Sequence, residues 1–372
     1  MAPGNGGTAI TDKYDNVDIT DINELLTFAK KNNIDLTIVG PDKRGAELEG
    51  SKSYSKDFMK KYGVKTAEYE VFYESDKALD YLENCAYPIV IKADGLAAGK
   101  GVAICKTMEE DRETIKSYMI EDIFKGAGAK VVIEEFLEGV EASILSITDG
   151  KTIISFLSAK DHKQIFDGGK GPNPGAMGVL ASNPYVTDEV QKEFEENIMA
   201  KTLAGIQSEG YDFKGIIFFG LMITKKGTYL LEYNVRMGNP ETQSVLYLME
   251  SDLLEVIEAA MDEKLADLEI KWNKGTCVNV VLASKGYPGE FVKGYEIKRR
   301  ITVKDKVFLA GAKAEGGMLK TSGGRVLSVL VVGATVDEAR EDAYKNTDGV
   351  EFGGMYFRND IGLVQDYKNI NI

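Results

Sequence analysis

The chain has 372 residues, 44% apolar and 28% charged, with a net charge of −14; it outgrows one core and has the balance of a globular protein rather than a disordered one. The acidic balance excludes the clustered Lys/Arg surface that nucleic acid requires, so a phosphate ligand belongs in a local pocket. Cys85, Cys105 and Cys277 lack metal or disulfide spacing and read as reduced core thiols, and no apolar run reaches the ~20 residues of a membrane helix; the expectation is a cytoplasmic protein with neither membrane nor nucleic-acid partners.

In chain order, Asp21 predicts a cap for a helix over 22–31, and residues 36–39 read as a buried strand. One such unit is not a domain, because a parallel sheet needs several strands covered on both faces. Residues 1–50 are therefore expected to lean on the rest of the chain or to be a remnant. Ser51 opens a helix over 52–62, and a strand over 89–93 runs into the glycine-rich stretch 95–102. Thr107 and Glu110 predict a capping box for a helix through 119. Strands are expected at 131–134 and 141–147. Residues 160–178 are polar, rich in Gly and Pro and without periodicity, which predicts a long functional loop. A helix over 188–208 follows, then a buried hairpin of 215–223 and 229–233, then a helix capped by Ser251 and running to 265. From about 275 the texture changes to short strands at 278–282, 307–309 and 325–332, closed by a helix that Thr335 and Glu338 cap. The fold class is α/β and α+β, divided into 1–50, 51–265 with a lid at about 65–140, and a small β-rich domain over 266–372.

Three constellations carry chemistry. The stretch around Gly95, Gly99 and Lys100 fails as a Walker A motif, because its glycines are three residues apart and Gly101 follows the lysine. It leaves a strand bearing Lys92 and a turn bearing Lys100, which suits either a loop closing over nucleotide phosphates or a plain hairpin tip with a solvated lysine. The turn 133–141 holds Glu134, Leu137 and Glu141, which could meet a base edge and ribose hydroxyls or be an ordinary acidic turn. Strand alternation places Glu232, Asn234 and Arg236 on one face. Oxygen donors from Glu and Asn suit Mg²⁺, and the Arg can steady charge on a transferred phosphoryl group; a solvated face is the plainer alternative. The one histidine, His162, lies in an Asp161-His-Lys163 cluster in the long loop, so no His-based metal site exists.

Taken in order, these stretches resemble the ATP-grasp fold and, within it, the phosphoribosylamine–glycine ligase family. The likeness is carried by Leu48-Glu-Gly-Ser-Lys52, by residues 88–102, by Ile133-Glu-Glu-Phe-Leu137, and by Asp161-His-Lys163 with Gly171-Pro-Asn173 and Met177-Gly178. It continues in Glu232-Tyr-Asn-Val-Arg236 with Pro240-Glu-Thr-Gln243, and near the end in Gly323-Gly-Arg-Val-Leu327 and Arg358-Asn-Asp-Ile-Gly362. The resemblance implies that ATP activates glycine as glycyl phosphate and that the amine of 5-phosphoribosylamine displaces the phosphate. It also implies roles. Lys52 and Lys92 would contact ATP phosphates under a lid formed by Gly95, Gly99 and Lys100. Glu134 and Leu137 would hold adenine and Glu141 the ribose. Glu232 and Asn234 would ligate Mg²⁺ or Mn²⁺, and Arg236, with Lys92, would be catalytic. Asp161, His162, Lys163, Asn173 and Gly178 would face the substrates.

Departures from the family pattern are visible as well. The chain opens at what resembles a second turn, Ala2-Pro-Gly-Asn5, and a helix and strand are missing between Pro41 and Leu48, so the Rossmann-like N-terminal region is truncated. Lys160, Gln164, Pro174, Ala176 and Asn239 stand where the family usually has Gln, Arg, Thr, Gly and Asp. An ATP-grasp ligase with another amine substrate, or a non-catalytic ATP-binding relative, are the alternatives these departures leave.

Overall fold

The computed structural model describes residues 17, 19–37, 41–97, 100–299 and 307–364. Helix α1 (Ile22–Lys31) begins where Asp21 accepts hydrogen bonds from the amides of Asn23 and Glu24, and it buries none of its residues. Of the strand expected at 36–39, residues 36 and 37 are not extended into a sheet, while 38 and 39, the turn 2–5 and Gly99 lie outside the described residues. Asp42 caps α2 (Lys43–Gly50), a helix the sequence pattern did not announce. Ser51 caps α3 (Lys52–Tyr62) by accepting from the Tyr54 amide, and Gly63 ends it in the left-handed region.

The next segment builds a four-stranded antiparallel sheet from β1 (Tyr69–Phe72), β2 (Ile89–Ala93), β3 (Val102–Cys105) and β4 (Val131–Glu135), in the order β1-β4-β2-β3. Helices α4 (Ser75–Leu82) and α5 (Met108–Ile115) cover one face, and Ala78, Leu82, Ile91, Ile115 and Ile133 fill the core between. α5 passes into a π turn, Lys116–Ile120. Period-two alternation on β3 sends Cys105 into that core and leaves Val102 and Ile104 exposed on the other face.

A second sheet holds nine strands. β5 (Val140–Thr148), β6 (Ile153–Asp161) and β7 (Gly178–Ala181) lead to the hairpin β8 (Gly215–Thr224) and β9 (Gly227–Asn234). Between β7 and β8 the expected single helix is α6 (Asp188–Phe194), a π turn Glu195–Met199 and α7 (Ala200–Glu209). After β9 come α8 (Glu241–Tyr247) and α9 (Leu253–Met261). The cap of α9 is Asp252 and not Ser251, whose hydroxyl is occupied by the Lys271 amide at 2.8 Å; the helix stops at Met261 instead of reaching 265.

Beyond it lie β10 (Thr276–Ser284), β11 (Lys298–Arg299), β12 (Val307–Leu309), β13 (Ala312–Glu315), β14 (Met318–Thr321), β15 (Arg325–Gly333), α10 (Val336–Thr347), β16 (Val350–Glu351) and β17 (Met355–Tyr356). The large sheet runs β12-β15-β10-β7-β6-β5-β8-β9, with β17 beside β10. It is therefore continuous from the 140s to the 330s, because β7 pairs with β6 on one side and β10 on the other. One core packs α3, α6 and α7 against β8 and β9 through Phe58, Phe194, Phe219, Leu221 and Tyr233.

Candidate active site

A cleft of 610 Å³ opens between the four-stranded sheet and the large one. Lys52, at the start of α3, lines it together with Lys92 on β2, Glu134 on β4, and Glu232 and Asn234 at the end of β9. The carboxylate of Glu134, which is buried, meets two ammonium groups: Lys92 lies 2.8 Å from Oε1 and 2.9 Å from Oε2, and Lys56 lies 3.0 Å from Oε2. Burial presses Lys56 down to about 8, against the opposing pull of Glu134. Asp94, just past β2, fixes the head of α3 by accepting from the Ser53 amide at 2.7 Å and from Lys130 at 3.0 Å. These contacts hold the two lysine-bearing elements in one place.

Above the lysines, Leu96, Val102, Ile104 and Phe136 are exposed apolar side chains on the cleft wall. Such a shelf accepts a planar ring, and Leu137 and Glu141 stand beside it. Glu141 pairs with Lys163 from the loop after β6. Burial works against the Lys163 charge, yet Glu141 and Asp161 outweigh it and raise its pKa.

Glu232 lies at the focus of three cations. Its burial opposes ionisation, but Lys163, Lys52 and Lys92 hold its carboxyl below the usual value, so it is present as a carboxylate. With the amide oxygen of Asn234 beside it, the pair offers the hard oxygen donors that Mg²⁺-type ions take. Among the described residues no group of three His, Cys, Asp or Glu side chains is placed to hold a metal ion. Arg236 reaches the cleft just beyond β9, its Nε 3.0 Å from Glu49 at the end of α2 and its Nη2 3.1 Å from Asn234.

The substrate-facing residues divide. Asp161, Lys163 and Asn173 line the cleft. His162 and Gly178 do not: His162 is buried, its amide bonded to the Gly178 carbonyl at 2.9 Å, and a Cβ on Gly178 would fall 2.8 Å from the Asn279 carbonyl oxygen. Gly95 likewise packs against Ala127, where a Cβ on the glycine would fall 2.9 Å from the alanine methyl, and Lys100 is exposed away from the cleft lining. The long loop is held from behind by the C-terminal strands. Arg325 Nη1 donates to the carbonyls of Gly175 and Asn239, Tyr287 to Pro174 at 2.7 Å, and Arg358 to Gln164 at 2.9 Å.

Residues 50–242 match the phosphoribosylglycinamide synthetase ATP-grasp (A) domain, 277–364 its C domain and 1–47 its N domain. A phosphoribosylamine–glycine ligase of Clostridium acetobutylicum is 60% identical over 97% of this chain and 92% of its own length. The chain belongs to the phosphoribosylamine–glycine ligase family. A crystal structure of such a ligase from Thermotoga maritima superposes with a TM-score of 0.83 at 35% identity, over 97% of this chain and 93% of that one. The biotin carboxylase domain of Hydrogenobacter thermophilus 2-oxoglutarate carboxylase shares the fold alone, with a TM-score of 0.67 at 17% identity over 90% of this chain and 73% of that one. The fold is ATP-grasp, and members of the ligase family join carbon to nitrogen with small-molecule substrates; ATP-grasp enzymes use ATP with divalent metal ions. Among the described residues no helix is long and apolar enough to cross a membrane.

Two cleft-lining side chains, Lys56 and Glu49, and two that hold the cleft from outside, Asp94 and Arg325, were not singled out from the sequence. Lys56 carried a signal, since it lies one helical turn from Lys52 on the same face of α3. The shelf carried another, in the exposed alternation of Val102 and Ile104.

Proposed function

We propose that the chain joins glycine to 5-phosphoribosylamine at the expense of ATP, a step of purine biosynthesis. ATP phosphorylates the glycine carboxylate; the amine then attacks the acyl phosphate and expels phosphate, leaving glycinamide ribonucleotide and ADP. Phosphorylation turns a poor leaving group into a good one. The observation that carries this reading is Glu232, kept ionised by Lys52, Lys92 and Lys163 beside an apolar shelf.

In this reading residues 51–265 bind ATP and host the chemistry, with 65–140 as the lid, while 266–372 hold the substrate loop and 1–50 contribute to the ribosyl phosphate. Leu137 and Glu134 meet adenine, Glu141 the ribose, and Lys52 and Lys92 the phosphates, with Gly95, Gly99 and Lys100 closing above. Glu232 and Asn234 would hold Mg²⁺ or Mn²⁺, which when bound shields phosphate charge. Arg236 steadies the acyl phosphate, its guanidinium kept in place by Glu49. Asp161, Lys163 and Asn173 face glycine and the amine, while His162 and Gly178 brace that loop from beneath. A cytoplasmic site of action accompanies the pathway.

The test is ADP release from ATP and Mg²⁺ with glycine, with and without freshly made phosphoribosylamine. Release that requires both substrates supports the reading. ATP binding without any release favours a non-catalytic relative, and release with glycine and a different amine favours a ligase of altered specificity.

A further inference from the structure

We propose that Glu241 is the proton acceptor for the attacking amine, an inference that rests on the ligase reading above. Glu241 opens α8, is only 6% exposed, and nevertheless lines the cleft. Its Oε2 has no hydrogen-bond donor within the protein. A buried acceptor without a donor is costly unless a ligand completes it. Gly238 packs directly against that oxygen, since a Cβ there would lie 2.7 Å from Oε2 and 3.0 Å from the Phe218 ring. Phe218 in turn stands opposite Asn234 in the β8–β9 ladder, so the carboxylate sits next to the strand end from which Arg236 enters the cleft.

The other cleft carboxylates are engaged, Glu232 by the three lysines around it and Glu135 by the Glu68 amide. Glu134 is held by Lys56 and Lys92, Glu141 by Lys163, and Glu49 by Arg236 and the Val235 amide. Asp161 accepts from the Ser143 hydroxyl at 3.3 Å. Among the described residues no cation is ion-paired with Glu241. The charges that face it are Asp161 from β6, Lys163 just beyond that strand, and Arg325 from β15. β7 and β10, which also pack on α8, bring no charged side chain; Cys277 on β10 is the one titratable group there, its thiol pushed up to about 12 by burial. Burial first and Asp161 second push Glu241 up to about 7, outweighing Lys163 and Arg325. A base with that affinity takes a proton at neutral pH and can return it to water.

The step balances. The amine nitrogen forms a bond to the carbonyl carbon of glycyl phosphate, the carbon–oxygen bond to phosphate breaks with its electron pair leaving on phosphate, and one nitrogen proton passes to the Glu241 carboxylate and then to solvent.

The test compares two reactions of the full chain across pH: ligation to phosphoribosylamine, and trapping of glycyl phosphate by excess hydroxylamine, which serves as both nucleophile and base. In the wild type, ligation should fall below about pH 7 while hydroxamate formation does not. Glu241→Gln should lower ligation by about 10²-fold or more with hydroxamate formation little changed, and Glu241→Asp should restore part of it. Normal ligation in Glu241→Gln, or equal loss of both reactions at an unchanged melting temperature, overturns the proposal. Should Glu241→Gln fail to fold, identical pH profiles for the two wild-type reactions overturn it equally. A wild type that forms neither product removes the ligase reading itself, and the assignment of Glu241 with it.

Discussion

Lys56 and Glu134 form an ion pair of 3.0 Å in which each side chain is 2% exposed, and Thr66 takes a further hydrogen bond from the same ammonium at 2.7 Å. Removing one partner of a buried pair strands the other, at a typical cost of about 3–5 kcal/mol. Lys92 still contacts both oxygens of the carboxylate, which places Lys56→Met at the lower end of that range. The variant should lose about 3 kcal/mol in urea unfolding, and its ATP affinity should drop because Glu134 then binds Lys92 alone. A variant with unchanged unfolding and ATP affinity would show that the pair is dispensable.

Glu232→Gln keeps the shape of the side chain and removes the one carboxylate that three lysines focus on. ADP release should fall by about 10²-fold or more, since charge compensation at a transferring phosphoryl group is worth several kcal/mol. The variant should still fold but with a modestly lower melting temperature, because the lysines lose a carboxylate whose attraction outweighs the cost of burying it. Full metal-dependent turnover in this variant would remove Glu232 from the metal site.

Ala176 adopts φ +75, a left-handed conformation, where the family pattern usually has glycine. An L side chain there costs roughly 1–2 kcal/mol, and glycine gives back part of that through its freer unfolded chain. Ala176→Gly should therefore stabilise the protein by about 0.5–1 kcal/mol, read as a higher urea midpoint. A lower midpoint would mean that packing of the buried methyl outweighs the strain.

His162 is the one histidine in the chain, and burial, with Arg358 and Lys160, lowers its pKa from 6.5 to about 3. Between those values the unfolded chain binds a proton that the folded chain refuses, so stability drops as pH falls through that window. The slope approaches about 1.4 kcal/mol per unit. His162→Gln should lose less stability than the wild type between about pH 6.5 and 5. Parallel losses in the two proteins would assign the acid sensitivity elsewhere.

What the sequence disclosed was local. The glycine-rich stretch, the alternation of Glu232 and Asn234, and the caps at Asp21, Ser51, Thr107 and Thr335 are all defined by spacing within one turn or strand. What it hid depends on chain segments far apart. Arg325 meets Gly175 from 150 residues away, and Glu49 meets Arg236 across 187. The seat of the Glu241 carboxylate depends on close packing by Gly238 and a phenylalanine from another strand. His162 was set toward the substrates by the family resemblance, whereas the fold buries it with its amide bonded to the Gly178 carbonyl.

The seat of β7 between β6 and β10 has a consequence for synthesis. Ala181 pairs with Ala159 and with Cys277, so nearly a hundred residues must be added before its second edge is covered. At roughly 5–20 residues per second that edge stays open for several seconds on the ribosome. During that interval the newborn chain carries an unpaired hydrophobic strand able to pair with a neighbour on the same message.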